Sequence, residues 1–109
     1  MKVYLKSGFT YIPEWQGNRE EKPEDQIKIH FKFLSANDLT ETLADGKADV
    51  AKEWLFICDK IENLTVDIDG AEIVVTPDGL YNIKSLYELY IECRLAFKAE
   101  SNVSKKKLL

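Results

Sequence analysis

The run Ile27-Lys28-Ile29-His30-Phe31-Lys32-Phe33 decides how this chain is read. Its odd positions are β-branched or aromatic, and its even positions are Lys, His and Lys. A side-chain period of two puts Ile27, Ile29, Phe31 and Phe33 on one face of a strand and leaves the other face to water. One wet face points to an antiparallel sheet, because parallel strands are covered on both sides.

Working upstream, Val3 and Leu5 alternate with Lys2, Tyr4 and Lys6, and the pattern resumes at Phe9–Ile12 beyond Gly8. A strand is expected there, ending at Pro13, which has no backbone donor and restricts the residue before it. Glu14–Glu24, with Gly17, Asn18, Pro23 and a run of charges, reads as an exposed loop.

Downstream, Leu34-Ser35 hands over to a first helix, with Ser35 as cap and Asp38 near the positive end of its dipole. Gly46 stops it after Ala44-Asp45. A second helix, about Ala48–Glu62, places Val50, Trp54, Ile57, Cys58 and Ile61 on one face and leaves Lys52, Glu53, Asp59 and Lys60 to water. Asn63–Val75 reads as a hairpin. Val66 and Ile68 precede Asp69-Gly70, Ile73 and Val75 follow it, and Asp-Gly suits the positive φ angles of a tight turn. Thr76-Pro77 opens a further turn of helix.

In the last helix Ser85 and Glu88 have the spacing of a capping box. Leu86, Leu89, Tyr90, Cys93, Ala96 and Phe97 form one stripe, and Tyr87, Ile91 and Leu95 carry the apolar surface further round the cylinder. A helix apolar on several sides needs cover on several sides, and a partner subunit is one source of it. From Glu100 the sequence turns polar. The expected fold is therefore α+β: a small antiparallel sheet from the N-terminal half, packed with two main helices, plus a short hairpin. One domain is expected over 1–100, with 101–109 as a flexible basic tail.

Composition narrows the function. A chain of 109 residues suits one core, and 45% hydrophobic with 31% charged residues is a globular balance rather than a disordered one. The net charge of −4 repels a phosphate backbone, and the dense basic run Lys105-Lys106-Lys107 has no aromatic residues interleaved, so no nucleic-acid partner is expected. No stretch approaches the ~20 apolar residues of a membrane span, and the N-terminus has no apolar signal core. A cytoplasmic protein without a membrane partner is expected. Cys58 and Cys93 sit in apolar stretches, where a free thiol behaves as a small hydrophobe.

The residues that carry chemistry are sparse. His30 is the only histidine, and its place between two lysines on the wet face holds it away from a buried carboxylate. Two cysteines far apart and one strand histidine do not have the spacing of a zinc site. Asp67, Asp69, Gly70 and Glu72 share part of a calcium-loop pattern, but their flanks read as strands where an EF-hand has helices. No glycine-rich phosphate cradle is present, and Glu20-Glu21 and Glu24-Asp25 are loop carboxylates in water. No catalytic residue, metal or cofactor is expected, which leaves binding to other proteins.

One block is less generic: Tyr11-Ile12-Pro13-Glu14-Trp15-Gln16-Gly17-Asn18-Arg19-Glu20, then Pro23, then Asp25-Gln26-Ile27. It resembles the opening of small proteins from bacteriophages and prophages with long, non-contractile tails, where such a block runs into a strand and a helix start like Leu34-Ser35. Ile61-Glu62-Asn63-Leu64, Gly79-Leu80 and Leu86-Tyr87-Glu88-Leu89 are similar to later parts of that group, and together the matches cover about half of the chain. The resemblance implies a tail assembly chaperone in the bacterial cytoplasm. Such a protein is non-enzymatic: it binds the tape-measure protein, helps recruit tail-tube subunits and leaves before the virion is finished. The many-sided apolar surface of the last helix adds the expectation of a homo-oligomer.

The alternatives are a permanent structural tail or head–tail component, and a small regulatory or inhibitor module that binds protein. The candidate protein-binding residues are Trp15 and Arg19 on the loop and Tyr87, Ile91 and Leu95 on the last helix. A plainer reading stands beside this one, in which Trp15 folds back over the sheet and Arg19 pairs with a loop carboxylate. The lysine run is likewise open. It is a solubilising tail, or else the site of the programmed reading-frame slip by which that group makes a longer form.

Overall fold

The structure is a computed structural model that describes residues 1–2, 6–34, 43–44 and 47–108, with side chains over 1–2, 6–34 and 49–100. In chain order the elements are β1 (Gly8–Tyr11), a 3₁₀ turn (Trp15–Glu20), β2 (Lys28–Lys32), β3 (Leu43–Ala44), β4 (Lys47–Ala48), α1 (Val50–Ile57), β5 (Cys58–Glu62), β6 (Thr65–Ile68), β7 (Ala71–Val74), α2 (Pro77–Asn82), a second 3₁₀ turn (Lys84–Leu86) and α3 (Tyr87–Leu108). The fold is α+β, built on small antiparallel sheets.

β2 is the middle strand of the sheet β1-β2-β5, antiparallel to both neighbours. Its inward residues are the ones the period of two selects. Ile27, Ile29 and Phe31 are buried, while Lys32 is exposed and Lys28 and His30 are half-buried. Phe33 is half-buried just past the strand, and its N–H donates to the Ser7 carbonyl at 2.9 Å. The pairing of β1 with β2 is close at Gly8, where a Cβ would lie 2.0 Å from the Phe31 carbonyl oxygen, so only glycine fits.

Helices cover the inner face of this sheet. Trp54 on α1 is fully buried, lies edge-on to Phe31 and Tyr90, and donates its indole N–H to the Pro77 carbonyl at 2.7 Å. Its polar atom is satisfied without leaving the core, which is the condition for burying a tryptophan whole. Leu80 on α2 and Leu89 and Cys93 on α3 close the same cluster. An Arg94–Glu53 ion pair ties α3 to α1. Thr76 caps α2 as expected, accepting from the Gly79 N–H at 3.1 Å, with Pro77 in the first turn.

Four expectations are corrected. The second helix ends at Ile57, and Cys58–Glu62 is a strand of the main sheet. Its start is Val50, where the Asp49 side chain accepts from the Lys52 N–H. The first helix lies outside the described residues over 35–42. At its expected end, Leu43–Ala44 pair as a strand with Lys47–Ala48. The Glu14–Glu24 loop is organised around a 3₁₀ turn kinked at Gln16 and Gly17, both at positive φ. Ser85 and Glu88 form no capping box. The second 3₁₀ turn runs straight into α3, so the Leu86 and Tyr87 N–H groups are satisfied by the Ile83 and Lys84 carbonyls instead. The strand expected over Val3–Leu5 lies outside the described residues, and the backbone of α3 stays helical through Glu100 to Leu108.

Candidate protein-binding surfaces

The block Tyr11–Glu20 is laced to its surroundings by its own side chains. Arg19 donates from Nε to the Ile12 carbonyl at 2.8 Å and from Nη1 to Glu14 Oε1 at 2.6 Å, with its guanidinium 5.7 Å from the centre of the Tyr11 ring. The Tyr11 hydroxyl and the Glu14 N–H both donate to Glu92 Oε2 on α3, each at 2.7 Å. Burial, and then the carboxylate beside it, push the Tyr11 phenol well above its ordinary value. Gln26 donates to the Arg19 and Glu21 carbonyls, and Asn63, from the turn after β5, donates to those of Glu24 and Gln26.

Arg19 thus pairs with a loop carboxylate, as its plainer reading has it. Trp15 is half-buried, packs against the edge of the core and lines an open cleft of about 290 Å³ with Glu21, Asp25, Ile27 and Asn63.

From the second 3₁₀ turn into α3 the core takes Leu86, Leu89, Tyr90 and Cys93. Tyr87, Ile91 and Leu95 follow one another at intervals of four, which sets them on one side of the helix. Tyr87 is 62% exposed and Leu95 61%, whereas Ile91 is half-buried and packs against the core. The Tyr87 ring lies 6.4 Å from Tyr90, and Tyr81 meets Tyr90 edge-on at 5.3 Å, so an exposed aromatic margin surrounds a buried tyrosine. No hydrogen bond, ion pair or ring contact among the described residues joins Trp15 or Arg19 to Tyr87, Ile91 or Leu95. The candidates fall on two surfaces.

Sequence reasoning missed the partners of His30. Its Nδ1 meets the Thr10 hydroxyl at 2.9 Å and its Nε2 bonds the Glu62 carboxylate, in a row across β1, β2 and β5. The signal is hidden in the sequence because the spacing of Cys58 and Ile61 reads as a helix running on through Glu62. A hydroxyl, an imidazole and a carboxylate are the parts of a hydrolytic triad, but a triad buries its carboxylate to hold the imidazole rigidly. Here the His30 and Glu62 side chains are 32% and 36% exposed on a sheet face, the setting of an ordinary cross-strand row. The His30 hydrogen bond holds the Glu62 carboxyl below its usual value.

The two cysteines are free and buried. Burial pushes the Cys58 thiol up to about 12 and Cys93 higher still, so both stay protonated and unreactive at neutral pH. Among the described residues no group of His, Cys, Asp and Glu is placed to hold a metal ion, and no helix is long and apolar enough to cross a membrane. Compared with known protein families, with curated proteins and with solved structures, the chain matches none.

Proposed function

We propose that this chain is a non-enzymatic protein that works by binding other polypeptides, and that it is a tail assembly chaperone of a long-tailed phage or prophage. The observation that carries the binding reading is the exposed side of α3, where Tyr87 and Leu95 are each more than half exposed. Large exposed apolar residues on a rigid helix suit a protein that covers the apolar surface of another. The chaperone reading adds the resemblance of the Tyr11–Ile27 block. A net charge of −4 suits a protein that keeps an aggregation-prone partner in solution.

On this reading the client is the tape-measure protein, tail-tube subunits are a second partner, and the chaperone works in the bacterial cytoplasm as a homo-oligomer. Co-expression with the tape-measure protein of the same phage or prophage tests it. The chaperone should move the client from the pellet to the soluble fraction and co-elute with it, and should be missing from purified virions. A client that is equally insoluble with and without this chain would sink the reading. Recovery of the chain in finished tails would replace it with a permanent structural role.

A further inference from the structure

Among the described residues the hairpin β6–β7 meets the core at the half-buried Val66 and at its base. There Leu64 and Val75 are buried and the Val75 N–H donates to the Leu64 carbonyl at 2.9 Å. Its turn is well made: Asp69 and Gly70 take φ of 52° and 85°, and Asp67 Oδ1 accepts from the Gly70 N–H at 2.8 Å. Beyond the base every residue is exposed except the half-buried Val66.

The register pairs Val66 with Ile73 and Ile68 with Ala71. These four continue the face that carries Leu64 and Val75, so an apolar ladder begins in the core and runs out into solvent, with Ile68 43% and Ile73 41% exposed. The reverse face carries Thr65, Asp67, Glu72 and the 73%-exposed Val74. A two-stranded ribbon exposed on both faces is marginal by itself and gains from a third strand.

Among the described residues, the backbone leaves both edges of this ribbon free to take one. In an antiparallel ladder, hydrogen-bonded pairs alternate with pairs whose N–H and C=O groups point outward. Since Leu64–Val75 is a bonded pair, Val66–Ile73 and Ile68–Ala71 are bonded too. The Thr65 and Asp67 groups on β6 and the Glu72 and Val74 groups on β7 therefore face out, and no backbone hydrogen bond among the described residues uses them. β7 is the edge that carries the hairpin's most exposed large apolar residue, Val74. Neither Lys nor Pro, the usual guards of an edge, occurs between Thr65 and Val75. The hairpin's only charges are Asp67, Asp69 and Glu72. A second copy laid antiparallel on β7 would bring carboxylate against carboxylate, which disfavours it.

We propose that the β7 edge binds an extended segment of a partner polypeptide as a third strand, one that alternates apolar with basic residues. Its apolar side chains extend the Ile73–Ala71 face, its basic ones meet Glu72 and Asp67 on the other, and its backbone bonds to the outward groups of Glu72 and Val74. This rests on the polypeptide-binding reading above, but its test uses no tape-measure protein, so the two can fail separately.

A short fluorescein-labelled peptide alternating Val and Lys, titrated with the full chain at low salt, should give saturable anisotropy, and a twin with Glu for Lys should not. Val74→Pro removes an outward donor without touching the hairpin's own bonds, and Glu72→Lys reverses the charge. Each should weaken binding by at least about tenfold. Absence of saturable binding to the Lys peptide, or unchanged binding by both variants, would overturn the proposal. Self-association of the unmodified chain that Val74→Pro abolishes would overturn it too, in favour of a second copy at this edge.

Discussion

Asn18 and Ile27 exchange a pair of hydrogen bonds: the Ile27 N–H donates to Asn18 Oδ1 at 2.6 Å, and Asn18 Nδ2 donates to the Ile27 carbonyl at 3.1 Å. A side-chain amide here does what a neighbouring strand does, just before β2 begins. The same Nδ2 reaches the Pro13 carbonyl at 2.9 Å, so one residue holds both ends of the loop, and it is only 4% exposed. Asn18→Ala strands a buried donor and two buried acceptors, and should cost about 2–4 kcal/mol in denaturant titration, at one to three for each group left unpaired after some relaxation. Asn18→Asp keeps the acceptor but loses both donations, so it should not restore stability. A loss below about 0.5 kcal/mol for Asn18→Ala, the usual size of a surface change, would show that water takes over the bonds.

The strand register makes a second claim. Phe31 is 4% exposed and has the rings of Phe9, Trp54 and Phe97 around it. Phe31→Ala should cost about 3–5 kcal/mol, the range for a truncated core aromatic. Lys32→Ala, on the exposed face, should stay within roughly 0.5 kcal/mol. Equal effects in the two variants would overturn the register.

These two sites differ in how far the sequence shows them. β2 and the Asp69-Gly70 turn were legible because their signals are local: a period of two, and a dipeptide suited to positive φ. β5 was not legible, and its bulge is the reason. Phe31 opposes Cys58 and His30 opposes Lys60, which leaves Asp59 as the extra residue. The inward residues Cys58 and Ile61 are thereby spaced three apart, the spacing of a helix face, directly after a real helix that ends at Ile57. Asn18 was hidden for another reason. A polar residue beside a glycine in a charged run reads as loop, and only the fold brings Pro13 and Ile27 to it. Among the site candidates, Arg19 looks like a binding residue by type, yet its nearest bonds are to Ile12 and Glu14.

The sheet's wet face has a pH dependence of known sign. Glu62 is held below its ordinary value of 4.5 chiefly by the His30 hydrogen bond, with Lys60 and Lys28 adding to it. A depressed carboxyl contributes stability that is present above the unfolded pKa and is lost as pH falls through the folded one. Glu62→Gln should therefore lower the melting temperature slightly at pH 6–7. The difference should begin to shrink as pH falls past the ordinary value of 4.5 and be lost once pH is below the lowered folded value. A difference that stays constant from neutral to acid pH would mean that the carboxylate's charge contributes nothing.

The exposed side of α3 separates folding from binding within one stripe. Ile91 packs against the core, so Ile91→Ser should destabilise by about 1–3 kcal/mol and is a poor probe of an interface. Tyr87 and Leu95 are more than half exposed on the same side. Tyr87→Ser with Leu95→Ser should leave the denaturation midpoint nearly unchanged, within roughly 0.5 kcal/mol for each. If this side carries the partner, the same pair should lower the oligomer mass in light scattering or weaken client binding, with Tyr87 contributing more, since tyrosine buries a rigid ring and keeps a hydroxyl for the rim. A double variant that unfolds would place both side chains in a packed environment. One that folds and still assembles and binds as before would remove α3 from the interface and leave the hairpin as the surface to pursue.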